Sequence, residues 1–264
     1  MPIFRHWTEL HLEFRPFDWR GLDWSGIDGI LIGGDTDVDL RHLDFGLALV
    51  EGTGLPVVMI WGNHEAYGSD IDDLRSRERD RLADLRSADV PLHVLHGDAV
   101  EIAGVRIVGA TLWTDFELFE GRAELARTVA ADYVMDYRAI RRSGRRVRPD
   151  DTAALHATER RRIFSLLDEP FGGPTLVMTH HMPSFRCVSA RYATDYTTPA
   201  FASELLPEIL DRHVSAWLYG HSHDNVEFDA KGAHGPIRFR SNPRGYSSEW
   251  TRFDPEARIA VGAI

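Results

Sequence analysis

The chain of 264 residues contains one cysteine, Cys187, and one lysine, Lys231. A single thiol forms no internal disulfide. It also rules out a thiolate zinc centre and an iron–sulfur cluster, each of which needs several cysteines. This usage fits a reducing cytoplasm, and Cys187 is expected to be a half-buried spare thiol. No apolar run approaches the roughly 20 residues a bilayer span needs. Met1 to Leu10 carries Arg5, His6 and Glu9 and has no secretory apolar stretch. A cytoplasmic location with no membrane partner is therefore expected. Positive charge is scarce too: 30 basic residues face 41 acidic ones, for a net charge of -11. That field opposes long nucleic acids, whose binding depends on neutralising phosphates, but it leaves open a small phosphate ester at a local cationic site. Repeats, low-complexity tracts and linkers are absent as well. A single α/β domain over residues 1–264 is expected, with enough apolar residues for a sizeable core.

What is present is a repeated pattern of a buried strand ending in metal-ligand side chains. Ile30-Leu31-Ile32-Gly33-Gly34 runs into Asp35, and Pro56 to Trp61 runs into Gly62-Asn63-His64-Glu65. Thr175 to Thr179 runs into His180-His181, and Ala216 to Tyr219 into Gly220-His221-Ser222-His223. In open α/β sheets, ligands bind outside the carboxyl ends of the strands, so these segments describe one polar site built from distant parts of the chain. Further strands are expected at Leu92 to Leu95 and Val105 to Trp113. Val226 to Phe228 and Ile237 to Phe239 read as a hairpin around a Gly-rich turn.

The spacing of Ala126, Val129, Ala130, Tyr133, Val134 and Tyr137 predicts one helix, and that of Phe201, Leu205, Ile209 and Leu210 another. Pro149-Asp150 predicts a helix capped by Asp150 and running to about Leu167. Ile71 to Ala88 reads as a charged surface helix.

The candidate ligands Glu9, His11, Asp35, Asn63, His180, His221 and His223 mix imidazole, carboxylate and amide oxygen. Imidazole suits zinc, iron and similar ions, while the oxygen donors suit harder ions such as manganese. Seven donors exceed one tetrahedral site and fit two ions sharing a carboxylate. Two such ions can activate water and stabilise both oxygens of an in-line displacement.

In order and context, Gly34-Asp35, Gly62-Asn63-His64-Glu65, Thr179-His180-His181 and Gly220-His221-Ser222-His223 resemble the signature blocks of the calcineurin-like metallophosphoesterases. The resemblance spans the length of the chain. Thr111 to Asp115 and Asn242 to Tyr246 resemble a bacterial branch of that family. The resemblance implies a four-layer αββα sandwich, two mixed sheets flanked by helices. It implies Asp35 as the bridging carboxylate, with Glu9, His11 and His223 on a first metal and Asn63, His180 and His221 on a second. The two ions would be manganese, iron or zinc. His64 would be the catalytic histidine that contacts the phosphoryl group and assists the leaving oxygen. The chain departs from the family at Glu9, where the pattern has aspartate; this predicts a looser first site that Glu9→Asp would tighten. Ile3 to Trp7 also reads as a poor buried strand.

The implied activity is hydrolysis of phosphate esters by a metal-bound hydroxide, leaning to small phosphodiesters such as cyclic nucleotides. A phosphomonoesterase, including a protein serine/threonine phosphatase, is the alternative, and a non-enzymatic scaffold of the same fold a remoter one. Arg244 and Arg186 are candidate substrate contacts, with Arg191 beside them. The cluster Arg138, Arg141, Arg142, Arg145, Arg146 and Arg148 reads as a solvated helix end. Asp37 is placed as an orienting residue, Asp39 as a helix cap and Glu65 as a support for ligand loops. His42, His93, His96, His156 and His213 belong to no constellation.

Overall fold

The computed structural model describes residues 1–262. The first part of the chain runs β1 (Ile3–Trp7), β2 (Gly29–Ile32), α1 (Arg41–Thr53), β3 (Val57–Ile60), α2 (Ile71–Ser87), β4 (Leu92–Leu95), β5 (Asp98–Ile102) and β6 (Val105–Ala110). It continues with α3 (Ala123–Tyr133), α4 (Asp136–Ala139), β7 (Arg141–Arg142), β8 (Arg145–Arg146), α5 (Pro149–Asp168) and β9 (Thr175–Thr179). The last elements are α6 (Leu206–Leu210), β10 (Ala216–Tyr219), β11 (Phe228–Gly232), β12 (Gly235–Arg240) and β13 (Arg258–Ala260).

Two mixed sheets result. One has the order β13-β1-β2-β3-β4, the other β11-β12-β10-β9-β6-β5. Within them β1 to β4 are mutually parallel, as are β12, β10, β9 and β6, while β13, β11 and β5 pair antiparallel at the edges. Phe4, Leu31, Val58, Ile60, Ile107, Leu176, Met178 and Leu218 fill the space between the sheets. Leu43, Leu49 and Leu74 cover the outer face of the first sheet from α1 and α2. Ile163, Phe164, Leu167 and Ile209 cover the second from α5 and α6. This is the four-layer αββα sandwich. The inner strands are continuous apolar runs because both of their faces are buried. No helix is long and apolar enough to cross a membrane, among the described residues.

Several local expectations need correction. β1 is a well-buried central strand. Its Arg5 is fully buried because the guanidinium lies 4.3 Å from the Trp24 ring and donates to the Asp23 carbonyl and to Glu256. β6 stops at Ala110, since Leu112 and Trp113 turn into positive φ. The stripe from Ala126 to Tyr137 is two helices, broken where Val134 becomes extended. Phe201 lies outside α6, which is only five residues long and has Pro in its first turn. Arg148, not Asp150, caps α5, and the Asp151 carboxylate accepts from the Arg148 N–H at 2.8 Å. The hairpin pairs as read but spans Phe228–Gly232 and Gly235–Arg240. Cys187 is completely buried, which pushes its thiol pKa up.

Candidate metal centre

The carboxyl ends of β1, β2, β3, β9 and β10 converge on one point, and backbone bonds stitch their loops together. The Gly33 N–H donates to the Trp7 carbonyl, Glu9 N–H to Gly34, His11 N–H to Asp35, and Gly220 N–H to His180. Glu9, His11, Asp35 and His221 all adopt positive φ. Such a backbone costs energy for residues with a Cβ and persists where the surroundings over-determine it. Glycine is required where the loops touch: a Cβ on Gly62 would collide with the Asp35 carboxylate and the His180 ring.

Three side-chain groups form a row: Glu9, His11 and His223; His11, Asp35 and His64; Asp35, His180 and His221. The Asp35 carboxylate sits between the ends, with Oδ2 3.8 Å from His11 Nε2 and Oδ1 3.5 Å from His180 Nε2. Asn63 adds its amide oxygen, 3.0 Å from His180 Nε2. The seven sequence-predicted donors and His64 are thus brought together.

The polar atoms here fit cations. His11 Nε2 and His223 Nε2 face each other at 3.2 Å, as do His180 Nε2 and His221 Nδ1. Two such nitrogens cannot both keep lone pairs directed at each other without a proton or an ion between them. Glu9 Oε2 is buried without a hydrogen-bond partner, 3.3 Å from His223 Nε2 and 3.5 Å from His11 Nε2. An orphaned buried carboxylate oxygen is costly, and a cation among these atoms would satisfy it.

Other groups fix the direction of each donor. The Nδ1 atoms of His11 and His180 lie 3.1 Å from Glu13 Oε1 and the Gly33 carbonyl respectively, and that of His223 contacts Glu249. Their Nε2 atoms therefore point inward, the arrangement that outer partners impose on metal-binding histidines. Glu9 Oε1 accepts from the His221 N–H at 2.7 Å and from the Thr8 hydroxyl at 2.8 Å. Asn63 donates its Nδ2 to Asp136 Oδ1 at 2.8 Å, and Tyr67 donates its hydroxyl to the same oxygen at 2.7 Å, so the Asn63 oxygen faces His180. Glu65 is buried and accepts from the N–H groups of Thr36, Gly62 and Asp35 at 2.8, 2.7 and 3.2 Å. It ties the β2 loop to the β3 loop.

His64 Nδ1 lies 2.8 Å from Glu13 Oε1, its Nε2 lies 3.2 Å from the Tyr246 hydroxyl, and its ring stacks on Tyr67. Burial alone would lower the His64 pKa, but the Asp35 and Glu13 carboxylates outweigh it and raise the pKa above the usual value. Burial pushes Glu13 up, but bonds to His11 and His64 hold it down at about 2. Burial likewise opposes ionisation of Glu9, yet His180, His11 and His223 hold its pKa well below the usual carboxylate range.

The arginines stand elsewhere. Arg244 is buried and donates to the carbonyls of Leu10, Arg15 and Pro16, bracing the loop that carries His11. Arg186 lies 4.0 Å from the Phe228 ring and does not line the cleft. Arg191 does line it, paired to Asp224 through two bonds of 2.9 Å. Of the cluster around Gly144, Arg141, Arg142, Arg145 and Arg146 form the β7–β8 hairpin, Arg138 lies in α4 and Arg148 caps α5, and none of the six lines the cleft. Asp37 bonds the Val38 N–H and Arg41, so it does not orient a donor. Asp39 accepts from the Leu40 N–H at 2.7 Å, just before α1. His42 and His96 bracket buried Glu78, well apart from the donor row. Sequence reasoning missed the supporting roles of Glu13, Asp136, Tyr246 and Glu249. Only Glu13, two residues beyond His11, offered a local signal.

An αββα sandwich with histidines and carboxylates clustered at the strand ends is the arrangement of a metal-dependent phosphoesterase. A sequence profile of the calcineurin-like phosphoesterases matches residues 12–225, and the chain belongs to that family. A protein of Acanthamoeba polyphaga mimivirus, itself uncharacterized, is 25% identical over 217 residues, covering 77% of this chain and 72% of the viral one. The crystal structure of phosphopantetheinyl hydrolase from Mycobacterium tuberculosis shares the fold with a TM-score of 0.70 at 17% identity, covering 94% of this chain and 91% of that one. The protein is a metallophosphoesterase, and its clustered histidines and carboxylates are placed to hold metal ions.

Proposed function

We propose that the protein hydrolyses small phosphodiesters. Glu9, His11 and His223 would hold one ion, and Asn63, His180 and His221 the other, with Asp35 between them. Bound there, the ions supply water activation and neutralisation of phosphoryl charge. His64, held by Glu13 and Tyr246, stands 4.0 Å from Asp35 and opens onto the cleft. Water adds to phosphorus as the bond to one ester oxygen breaks, and the proton the water sheds returns to His64 at the end of the cycle. His64 Nε2 gives its proton to that departing oxygen, which leaves as the alcohol. The Glu13 carboxylate holds the opposite nitrogen and balances the charge of the protonated ring.

The observation that carries diester over monoester is the charge around the donors. The cleft, about 380 Å³ in volume, is lined by one arginine, Arg191, already paired with Asp224. Its remaining charged walls, Asp136 and Glu249, are acidic. A diester carries one negative charge; for the second charge of a monoester dianion no lining side chain beyond the metal donors and His64 offers an unpaired cation, among the described residues. The Mycobacterium tuberculosis neighbour is a phosphopantetheinyl hydrolase by its name; the likeness supports the fold, and the substrate here rests on the cleft.

The test is turnover of 4-nitrophenyl phosphate, bis(4-nitrophenyl) phosphate and cyclic nucleotides by protein loaded with manganese, zinc or iron. Faster hydrolysis of the diesters supports the proposal. Preference for 4-nitrophenyl phosphate or a phosphoserine peptide would replace it with a monoesterase or a protein phosphatase.

A further inference from the structure

The cleft continues beyond the metal donors into an apolar wall. Val134 and Met135 come from the α3–α4 junction, and Met182, Val188, Tyr192 and Phe201 from the β9–β10 connection. Phe201 stacks on the ring of His221 with centroids 4.4 Å apart and planes at 21°, so the wall begins directly beside a donor. Met135 is 53% exposed and Tyr192 43%, and Tyr133 at the rim is 75% exposed. Large apolar side chains left open together at the mouth of one cleft mark a binding surface. None of the charged groups there is a free cation, among the described residues. Arg191 is paired with Asp224, Asp136 accepts from Asn63 and Tyr67, and Glu249 accepts from the Tyr246 N–H and contacts His223.

We infer that the substrate is a single-phosphate ester whose second substituent is apolar or aromatic, seated on the wall formed by Val134, Met135, Met182, Val188, Tyr192 and Phe201. This rests on the phosphodiesterase reading above. The donor row takes the phosphate and the wall takes the organic group. A second phosphate on that group would meet Asp136 and Glu249 with no cation to receive it.

The test is a series of 4-nitrophenyl alkyl phosphates that differ only in the group retained, methyl, butyl or phenyl, hydrolysed by manganese-loaded protein. A fully buried methylene is worth about fourfold, so three half-buried methylenes should raise kcat/KM for butyl over methyl about eightfold. Met135→Asp and Val188→Asp should bring that ratio close to one. Calorimetry gives a reading independent of turnover: butylphosphonate should bind the manganese-loaded protein tighter than methylphosphonate by a similar factor. Equal kcat/KM across the series would overturn the inference and leave the phosphodiesterase reading standing. Failure to hydrolyse any ester would instead overturn that reading, while the phosphonate ratio would still decide whether the wall binds apolar groups.

Discussion

Asp136 lies 73 residues from Asn63 in sequence and holds its amide at 2.8 Å. The same oxygen accepts the Tyr67 hydroxyl at 2.7 Å, and the carboxylate is 3% exposed. Its effect is to choose which end of the Asn63 amide faces His180. Replacing Asp136 by Asn keeps the shape but lets the new amide present an N–H₂ to Asn63, so the Asn63 donor can turn away. Groups of this kind, which orient a metal ligand, typically contribute 10–100-fold in metal affinity. Asp136→Asn should therefore weaken manganese binding at the Asn63 end by about that factor, read by calorimetric titration of chelator-treated protein. Asp136→Ala strands a buried amide donor, which costs about 1–3 kcal/mol and should lower Tm by roughly 2–12 °C in a chain of this size. Tyr67→Phe removes the weaker of the two acceptors of the Asn63 amide, the Tyr67 hydroxyl at 3.1 Å, and leaves the 2.8 Å bond to Asp136, so it should weaken metal binding less than Asp136→Asn does. If Asp136→Asn binds manganese within threefold of the wild type, or if Tyr67→Phe weakens it equally, Asp136 does not orient Asn63.

Glu9→Asp should weaken the first site. Shortening the side chain withdraws Oε1 from the 2.7 Å bond to the His221 N–H and Oε2 from its place 3.3 Å from His223; tighter binding on titration would reject this. His64→Ala should keep both ions by elemental analysis and lose roughly 10²–10⁴ in rate, with a smaller loss for nitrophenol leaving groups; loss of metal would make His64 a ligand. Burial pushes Glu78 up, but His42 and His96 bring it down to about 2. Its contribution to stability is thus present above the unfolded carboxylate pKa and lost as pH falls through about 2. In urea titrations the wild type should lose more stability than Glu78→Gln between pH 5 and 2, and parallel losses would show that the cluster does not titrate as a unit.

The four ligand-bearing strand ends were legible in sequence because each is local: an apolar run that ends in a donor, through a glycine in three of the four and directly from Thr179 to His180 in the other. Their convergence followed from the rule that sites form at carboxyl ends in α/β sheets. What stayed hidden was non-local. β1 reads poorly because Arg5 and His6 interrupt it, and the partners that make Arg5 burial tolerable, Trp24, the Asp23 carbonyl and Glu256, come from distant segments. Asp136 carries no signal, since its role depends on the α3–α4 break bringing it beside Asn63. The overlong second helix was detectable: Pro207 lacks an N–H and belongs in a first turn, so a helix through it from Phe201 was excluded. Freed from that helix, Phe201 stacks on His221 instead. The looser first site expected from Glu9 assumed an aspartate backbone. In the fold Glu9 sits at φ 55°, and its longer side chain still reaches the row.

A pair of ions bridged by Asp35 is tested by counting the manganese bound per chain by calorimetry, for the wild type and Asp35→Asn. Two ions are expected on the wild type. Both should be weakened together in the variant, because Asp35 Oδ1 and Oδ2 lie 3.5 and 3.8 Å from donors of opposite ends of the row. One ion on the wild type, or an Asp35→Asn protein that still binds two with unchanged affinity, would contradict the bridged pair.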